Sequence, residues 1–334
     1  MWDEKKIRII DIAQELGLST ATVSNVLHGK HDRVSEQTFK RVQDALTERG
    51  YIPNMAATLL AQNDSRIIGV VVNDHVKYEG RVLEDPFVSS ALNALSSEIE
   101  RAGYFLMLKK SQNIEEIVPF ASMWNLDGMV LMGFCADEYQ RLRDRIRIPF
   151  VVYDGFFQNE GNICNLMLDD YDGGRQVGFY FRKNERSRVL CIADNRLCPD
   201  MDRYEGLCAG LGWKADFLEI PMRKKERMGF YQEKSSLLLS YDACFAVSDY
   251  YGAELMRFLL SIGGRVPEDI WVVGFDDAPV CEYVLPALSS VRQDVLLRAQ
   301  KAVSYLQKMK EDKSYCATER IPVKLVLRES SGKA

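Results

Sequence analysis

Histidine is nearly absent from this chain, which holds three in 334 residues, His28, His31 and His75, two of them within the first fifty positions. Imidazole-based acid–base or metal chemistry is therefore left with one candidate in the bulk of the sequence. The GxSxG elbow, the GxGxxG turn and the GxxxxGK[ST] phosphate loop are all missing. With them go the sequence signals of the common α/β enzymes, and no catalytic residue or cofactor is expected. Eight cysteines, all at or after Cys135, form no CxxC pair and have no histidine at metal spacing. They read as buried or free thiols in a reducing compartment, with no metal site. No uncharged apolar run reaches the roughly eighteen residues of a membrane helix. Trp2, Asp3, Glu4 and Lys5 begin a polar segment without an apolar signal region, so a soluble, cytoplasmic protein without a membrane partner is expected. A dominant charge is missing too: 43 basic against 48 acidic side chains leave a net charge of −5, which does not make the whole molecule a polyanion binder.

What is present is organised around Asp11 to Leu27, DIAQELGLSTATVSNVL. Ile9, Ile12, Ala13 and Leu16 fall at helical spacing before Gly17, and Val23, Val26 and Leu27 do so after it. This pattern predicts a helix, a tight turn and a second helix, with Ser19 placed to cap the second. Thr20, Ala21, Thr22, Ser24 and Asn25 then form a short, polar, uncharged outward face suited to the floor of a DNA major groove. An ordinary helical hairpin with a solvated face would carry the same pattern. Val34 and Ser35 introduce a third helix whose Phe39, Val42 and Leu46 can roof a three-helix core, ending at Gly50. Residues 1–64 hold eight Lys and Arg against nine Asp and Glu, an awkward count for a DNA binder. The distribution helps, because Lys5, Lys6, Arg8, Lys30 and Arg33 flank the second helix.

After Pro53, residues Asn54 to Gln62 are good helix formers, but nine residues are too few to stay helical alone. From Arg66 strands alternate with helical patterns. IIGVVV at Ile67, YFLML at Tyr104, GMVLMG at Gly128, PFVVYDG at Pro149, VLCIA at Val189, ACFAVSD at Ala243 and WVVGFDD at Trp271 are separated by amphipathic stretches such as Phe87–Ala102 and Gly252–Leu260. Continuous apolar strands between helices imply parallel sheets covered on both faces. Two doubly wound halves are expected, broken near Asn165, with the chain returning to the first half around Arg292 and to the second near Ile321.

DIAQELGLSTATVSNVLHG, VSEQTFKRV and GYIPNMAATLLA resemble the headpiece of the lactose-repressor-like (LacI/GalR) family of bacterial transcriptional regulators, and the resemblance runs through nearly the whole chain. Asp85-Pro86-Phe87 resembles an Asn-Pro-Phe landmark, Arg203 and Gly206 an Arg-x-x-Gly element, Ser248-Asp249 an Asn-Asp pair, and VPEDIWVVGFDD from Val266 is close to the family consensus. Arg8, Asn25 and Thr58 depart from it.

The resemblance implies a helix-turn-helix headpiece (1–50), a hinge helix and linker (51–65) and a periplasmic-binding-protein-like effector and dimerisation core. The core halves would be 66–164 plus 292–320 and 165–291 plus 321–334. The implied protein is a homodimeric repressor of a palindromic double-stranded DNA operator, tuned by a sugar or sugar phosphate in the core cleft. His28, Ser35, Tyr51 and Asn54 would join the DNA contacts. Leu60 would wedge into the minor groove beside its symmetry mate, with Ala57 at the close contact.

In doubly wound sheets ligands sit beyond the carboxyl ends of strands, where Asp74, Phe134, Asp154, Asp249 and Asp276 fall. Each alone is more often a cap or loop residue. The resemblance assigns Arg203 and Asp249 to the effector's polar groups. Phe87 could be an aromatic wall or core packing. Two other classes compete: an α/β enzyme, for which the motifs are missing, and a transport binding protein, which would have a signal peptide and no helix-turn-helix.

Overall fold

The computed structural model describes residues 7–27, 29–51, 65–134, 136–155 and 163–332. The chain divides into two compact units, Met1–Asp64 and Ser65–Ala334.

In the first unit α1 (Ile9–Leu16) ends at Gly17, whose φ of 65° gives the left-handed turn a glycine adopts without strain. Arg8 stands where a small polar cap is usual. The Asp11 carboxylate compensates by accepting the Arg8 backbone N–H at 2.8 Å, the reciprocal half of a capping box. Helix α2 (Thr20–Leu27) begins where Ser19 Oγ accepts the Thr22 amide at 3.1 Å. Helix α3 (Glu36–Glu48) is capped in the same way by Ser35, whose Oγ accepts from the Thr38 amide at 3.3 Å. Ile12, Ala13, Val23, Val26, Val42 and Ala45 form the buried centre, with Phe39 and Leu46 packed against it as the spacing predicts.

The second unit holds two six-stranded sheets. The first, in the order β11-β5-β4-β3-β1-β2, comprises β1 (Ile67–Asn73), β2 (Phe105–Ser111), β3 (Gly128–Met132), β4 (Phe150–Tyr153), β5 (Cys164–Leu168) and β11 (Thr318–Ile321). The second, in the order β12-β10-β9-β8-β6-β7, comprises β6 (Val189–Ala193), β7 (Asp216–Glu219), β8 (Ala243–Ala246), β9 (Trp271–Asp276), β10 (Ser289–Gln293) and β12 (Val323–Val326). All pairings are parallel except β10 with β12.

The period of two along a strand explains the layers. Val70 and Val72 of β1 face a cluster containing Val88, Leu95 and Ile99 of α4 (Pro86–Arg101), while Val71 faces one containing Ile117 and Ala121 of α5 (Ile117–Met123) and Tyr139 and Leu142 of α6 (Ala136–Arg145). In the second lobe the helices introduced here are α7 (Asp170–Lys183), α8 (Cys198–Leu211), α9 (Lys224–Glu233) and α10 (Asp249–Ser261), and α11 (Val295–Glu311) returns the chain to pack on α4.

The expected break near Asn165 is corrected by the pairing. β5 belongs to the first sheet, between β4 and β11, so the first crossover follows Leu168. Asn165 is buried within β5, where its side-chain amide bonds to the Gly155 backbone in both directions. The return expected around Arg292 also moves, because Arg292 and Gln293 still pair with β9 and β12 in the second sheet. The crossover near Ile321 lies where it was expected.

Candidate functional site

On α2, Val23 and Val26 point inward with no more than 4% of their surface exposed. Helical geometry then sends Thr20, Ala21, Ser24 and Asn25 to the opposite side. Thr20 and Ala21 are exposed, and Ser24 and Asn25 are half-buried at the edge of the strip. Thr22 differs from the expectation: its amide and hydroxyl are both engaged by Ser19, the latter at 2.9 Å, so it builds the helix start. Ser35 is likewise committed to Thr38 as a cap. The Tyr51 amide bonds to the Leu46 carbonyl at 2.9 Å and closes α3. His28, Asn54, Ala57 and Leu60 lie outside the described residues.

The awkward charge count is partly resolved. Glu15 is paired with Arg49 at 2.9 Å and Asp11 sits with Arg8 at 3.5 Å, while Lys30, Arg33, Lys40 and Arg41 make no ion pair among the described residues.

In the second unit the carboxyl ends of the two sheets face each other. Lys77, on the turn after β1, reaches Asp194, just past the end of β6, with 3.9 Å between Nζ and Oδ2. Arg203 of α8 donates to Asp170 at the start of α7 (Nε to Oδ1, 2.8 Å) and to the Val247 carbonyl (2.5 Å), and its guanidinium lies 3.6 Å from the centroid of the Phe275 ring. Asp276 closes β9 with a φ of 112° and accepts from Gln293 Nε2 at 2.8 Å. Such a backbone is strained for any residue but glycine, so its surroundings hold this carboxylate in place.

Burial sets the electrostatics. It pushes Asp170 up to about 7 although Arg203 beside it pulls the other way, and pushes Asp200 up to about 6. Asp276 and Asp85 are also raised by burial. Burial works against the Lys77 ammonium but is outweighed by Tyr78, Asp194, Asp200 and Asp85, so it stays charged. Tyr78 itself is pushed up to about 12 by burial.

These shifts give a pH dependence. Asp170, Asp200 and Asp249 (about 7, raised by burial) bind protons more tightly folded than unfolded. Between roughly pH 4 and 7 the native state therefore holds more protons, and stability falls as pH rises through that window. The melting temperature of the core should be lower at pH 8 than at pH 5. His75, lowered by burial and by Lys77, works in the opposite sense. A scanning calorimetry series across this range checks the sign.

Of the residues expected at the cleft, Arg203 and Asp276 come together there. Asp249 does not, and this is a correction. Its carboxylate is 1% exposed, with Oδ1 accepting from Ser290 Oγ at 2.5 Å and Oδ2 from the Ala278 amide at 2.8 Å. Gly274 alone leaves room for it. It ties α10 to β10 and to the turn after β9, with the Cys281 thiol as a further partner. Phe134 is corrected too: it is buried edge-on to Tyr139, whose hydroxyl accepts its amide at 2.9 Å, in the outer cluster of the first lobe. Asp154 pairs with the buried Arg298 at 2.6 Å. Asp74 gives one oxygen to Lys110 at 3.1 Å and anchors the base of the 75–84 turn. Phe87 is half-buried against the core of the first lobe.

The residues missed were Lys77, Tyr78, Asp85, Asp170, Asp194, Asp200 and Gln293. Asp194 was detectable, since VLCIAD ends a strand on a carboxylate, and Asp170 was hidden by the misplaced crossover. Lys77 and Tyr78 lie on a turn with no pattern to mark them. Among the described residues no three His, Cys, Asp or Glu side chains converge to hold a metal ion, and no helix is long and apolar enough to cross a membrane.

A helix-turn-helix unit together with a two-lobed α/β unit whose strand ends meet in a polar cleft defines a class: DNA-binding transcriptional regulators with an effector-binding core. The family described as "Bacterial regulatory proteins, lacI family" matches residues 8–54, and "Periplasmic binding protein-like domain" matches residues 178–331. The chain belongs to the lactose-repressor-like family. It is 26% identical to the HTH-type transcriptional regulator CelR of Thermobifida fusca over 88% of this chain and 89% of that protein. It is also 26% identical to the HTH-type transcriptional repressor PurR of Vibrio atlanticus over 92% and 93%. The ribose operon repressor of Halalkalibacterium halodurans is 27% identical over 97% and 96%. Among solved structures, the Lac repressor dimer bound to operator superposes with a TM-score of 0.83 at 22% identity, covering 98% of this chain and all of that one. A CelR–cellobiose complex superposes with a TM-score of 0.71 at 23% identity, covering 97% and 100%.

Proposed function

We propose that the protein is a homodimeric, cytoplasmic repressor that reads a palindromic operator with Thr20, Ala21, Ser24 and Asn25. Operator affinity would be set by a sugar-like effector held in the cleft between its core halves by Arg203, Asp276 and their neighbours. It would act by binding alone, without catalysis. The observation that carries this reading is the pairing of an outward polar strip on α2 with a cleft in which Lys77 of one lobe meets Asp194 of the other. A molecule bound there would change how the lobes close, and through them the geometry offered to the two headpieces. Residues 52–64 supply the connection in this reading, with Leu60 as the groove wedge.

Two measurements test it. Selection from random DNA should return a palindrome, and Asn25→Arg should change the preferred base at one position in each half-site, because asparagine pairs with adenine and arginine with guanine. An unchanged motif would remove Asn25 from the reading set. A thermal-shift screen of the full chain against a sugar library, followed by operator titration with each hit, should find a compound that alters operator affinity. Hits that bind without altering it would break the link between cleft and DNA.

A further inference from the structure

We propose that the second lobe's wall of the cleft, built from Asp194 and Asp200, is a subsite for an ammonium group, filled here by Lys77 of the first lobe. The effector would then carry a protonated amine, as an amino sugar does, and not a phosphate. The inference rests on the reading that the cleft takes the effector.

Asn195 Nδ2 donates to both Asp194 Oδ1 at 2.9 Å and Asp200 Oδ2 at 2.8 Å, holding the two carboxylates side by side. The Asp194 side chain is 1% exposed; the Tyr251 hydroxyl lies against it, and its Oδ2 makes no hydrogen bond of good geometry among the described residues. A buried carboxylate oxygen in that state needs a cation, and the nearest, Lys77 Nζ, stands at 3.9 Å, beyond hydrogen-bonding reach. Lys77 thus holds the place by charge, through Asp194, Asp200, Asp85 and Tyr78, at a distance from Asp194 that a free ammonium could shorten. Gln293 is similar: Nε2 is bound to Asp276 while Oε1 is buried without a partner.

The charge balance favours the same class. Asp85, Asp170, Asp194, Asp200 and Asp276 act at the cleft against Lys77 and Arg203, and Arg203 is already committed to Asp170 and the Val247 carbonyl. A phosphate carrying nearly two negative charges would enter a site already in excess of acidic side chains, with Lys77 as its one uncommitted cation among these groups, whereas an amine would reduce the imbalance. Lys77 lies on a short turn beside exposed Val76, Glu79 and Gly80; Lys110 reaches Gly80 O at 2.6 Å and Asp74 at 3.1 Å, the Asp74 amide bonds to the Ser111 carbonyl, and Tyr78 packs on the core.

A tethered ammonium competes at an effective concentration in the millimolar range, so removing it should expose the subsite. Full-length Lys77→Ala would be titrated with n-butylammonium chloride, with n-butanol and sodium chloride as controls for the alkyl chain and for salt, followed by thermal shift and calorimetry. The expected result is saturable stabilisation of Lys77→Ala by butylammonium alone, at concentrations at least about tenfold below those that affect the wild type. Lys77→Ala/Asp194→Asn should lose the response. Lys77→Ser serves in the same role should the alanine variant not fold.

Equal responses of wild type and variant, no response of either, or a response that survives Asp194→Asn would each overturn the subsite. The sugar screen judges the parent reading separately. A neutral or anionic effector found there, with no butylammonium response, ends the ammonium proposal and leaves the cleft as the effector site. A butylammonium response with no effector from the screen does the reverse.

Discussion

Gly206→Leu should lower the melting temperature of the core by roughly 5–10 °C and disorganise the cleft with it. Helices α7 and α8 touch backbone to backbone. A Cβ placed on Gly174 would lie 1.9 Å from the Arg203 carbonyl oxygen, on Gly178 2.1 Å from that of Leu207, on Gly206 2.0 Å from that of Tyr171, and on Gly210 2.2 Å from that of Arg175. The clashes are reciprocal and involve main-chain atoms, so no rotamer change relieves them and the helices must separate. Overpacking of side chains alone costs about 1–3 kcal/mol, and a forced backbone shift lies at or above the upper end. One kcal/mol moves the melting point of a domain this large by about 2–4 °C.

Function suffers by the same route, because α8 carries Arg203 and α7 begins at Asp170, its buried partner at 2.8 Å. Separating the helices leaves Asp170, which is 1% exposed, without its cation. Gly229→Ala in α9 is the control, since nothing lies within 4 Å of its added Cβ. It should be neutral or raise stability slightly, as alanine replaces glycine inside a helix. Calorimetry of both variants decides the matter, and a Gly206→Leu melting point within a degree or two of wild type would mean that the helix pair is not under the constraint its geometry implies.

Val23→Asp is expected to reduce operator affinity by a factor of 10³ or more while leaving the melting of the core unchanged. Val23 is 0% exposed, and among the described residues six form the buried centre of the headpiece. A unit this small is marginally stable from its core alone. An unpaired carboxylate at its centre brings a desolvation penalty of several kcal/mol, which matches or exceeds that margin. An unfolded headpiece cannot present α2 to a groove, and specific sites are typically bound about 10³–10⁷ more tightly than random DNA, so that ratio is what should vanish. Ala21→Asp, on the exposed face, should impair DNA binding with the headpiece still folded. Operator and scrambled DNA titrated at one salt concentration, with melting followed in parallel, separate the cases. Val23→Asp protein that still discriminated the operator, or whose core melted early, would contradict the independence of the two units.

The headpiece was legible because its signals are local. Gly17, Ser19, Ser35 and the spacing of Val23 and Val26 act within a few residues of where they stand, and helices of eight residues need little else to be recognised. The central strands were legible for a related reason. A strand buried on both faces must be apolar throughout, as Gly128–Met132 and Val189–Ala193 are. β5 broke that rule with a buried asparagine, and β7, with both edges of its pattern exposed, never met it.

The cleft was legible only in part. The rule that ligands lie beyond strand ends pointed to the right region, yet it could not tell Asp276, which faces Arg203 and Gln293, from nearby Asp249, which is spent on Ser290 and Ala278.

From sequence alone follow the class of the protein, the two kinds of folding unit and the outward polar face of α2, since each depends on periodicity and on residues close together in the chain. The tertiary structure alone decided which carboxylates remain available in the cleft, that Lys77 crosses it to Asp194, and that α7 and α8 meet through glycines. Those facts depend on pairings between residues 30 to more than 100 positions apart, such as Arg203 with Asp170 and Lys77 with Asp194. A carboxylate in a sequence looks the same whether a distant serine has taken its oxygens or left them free.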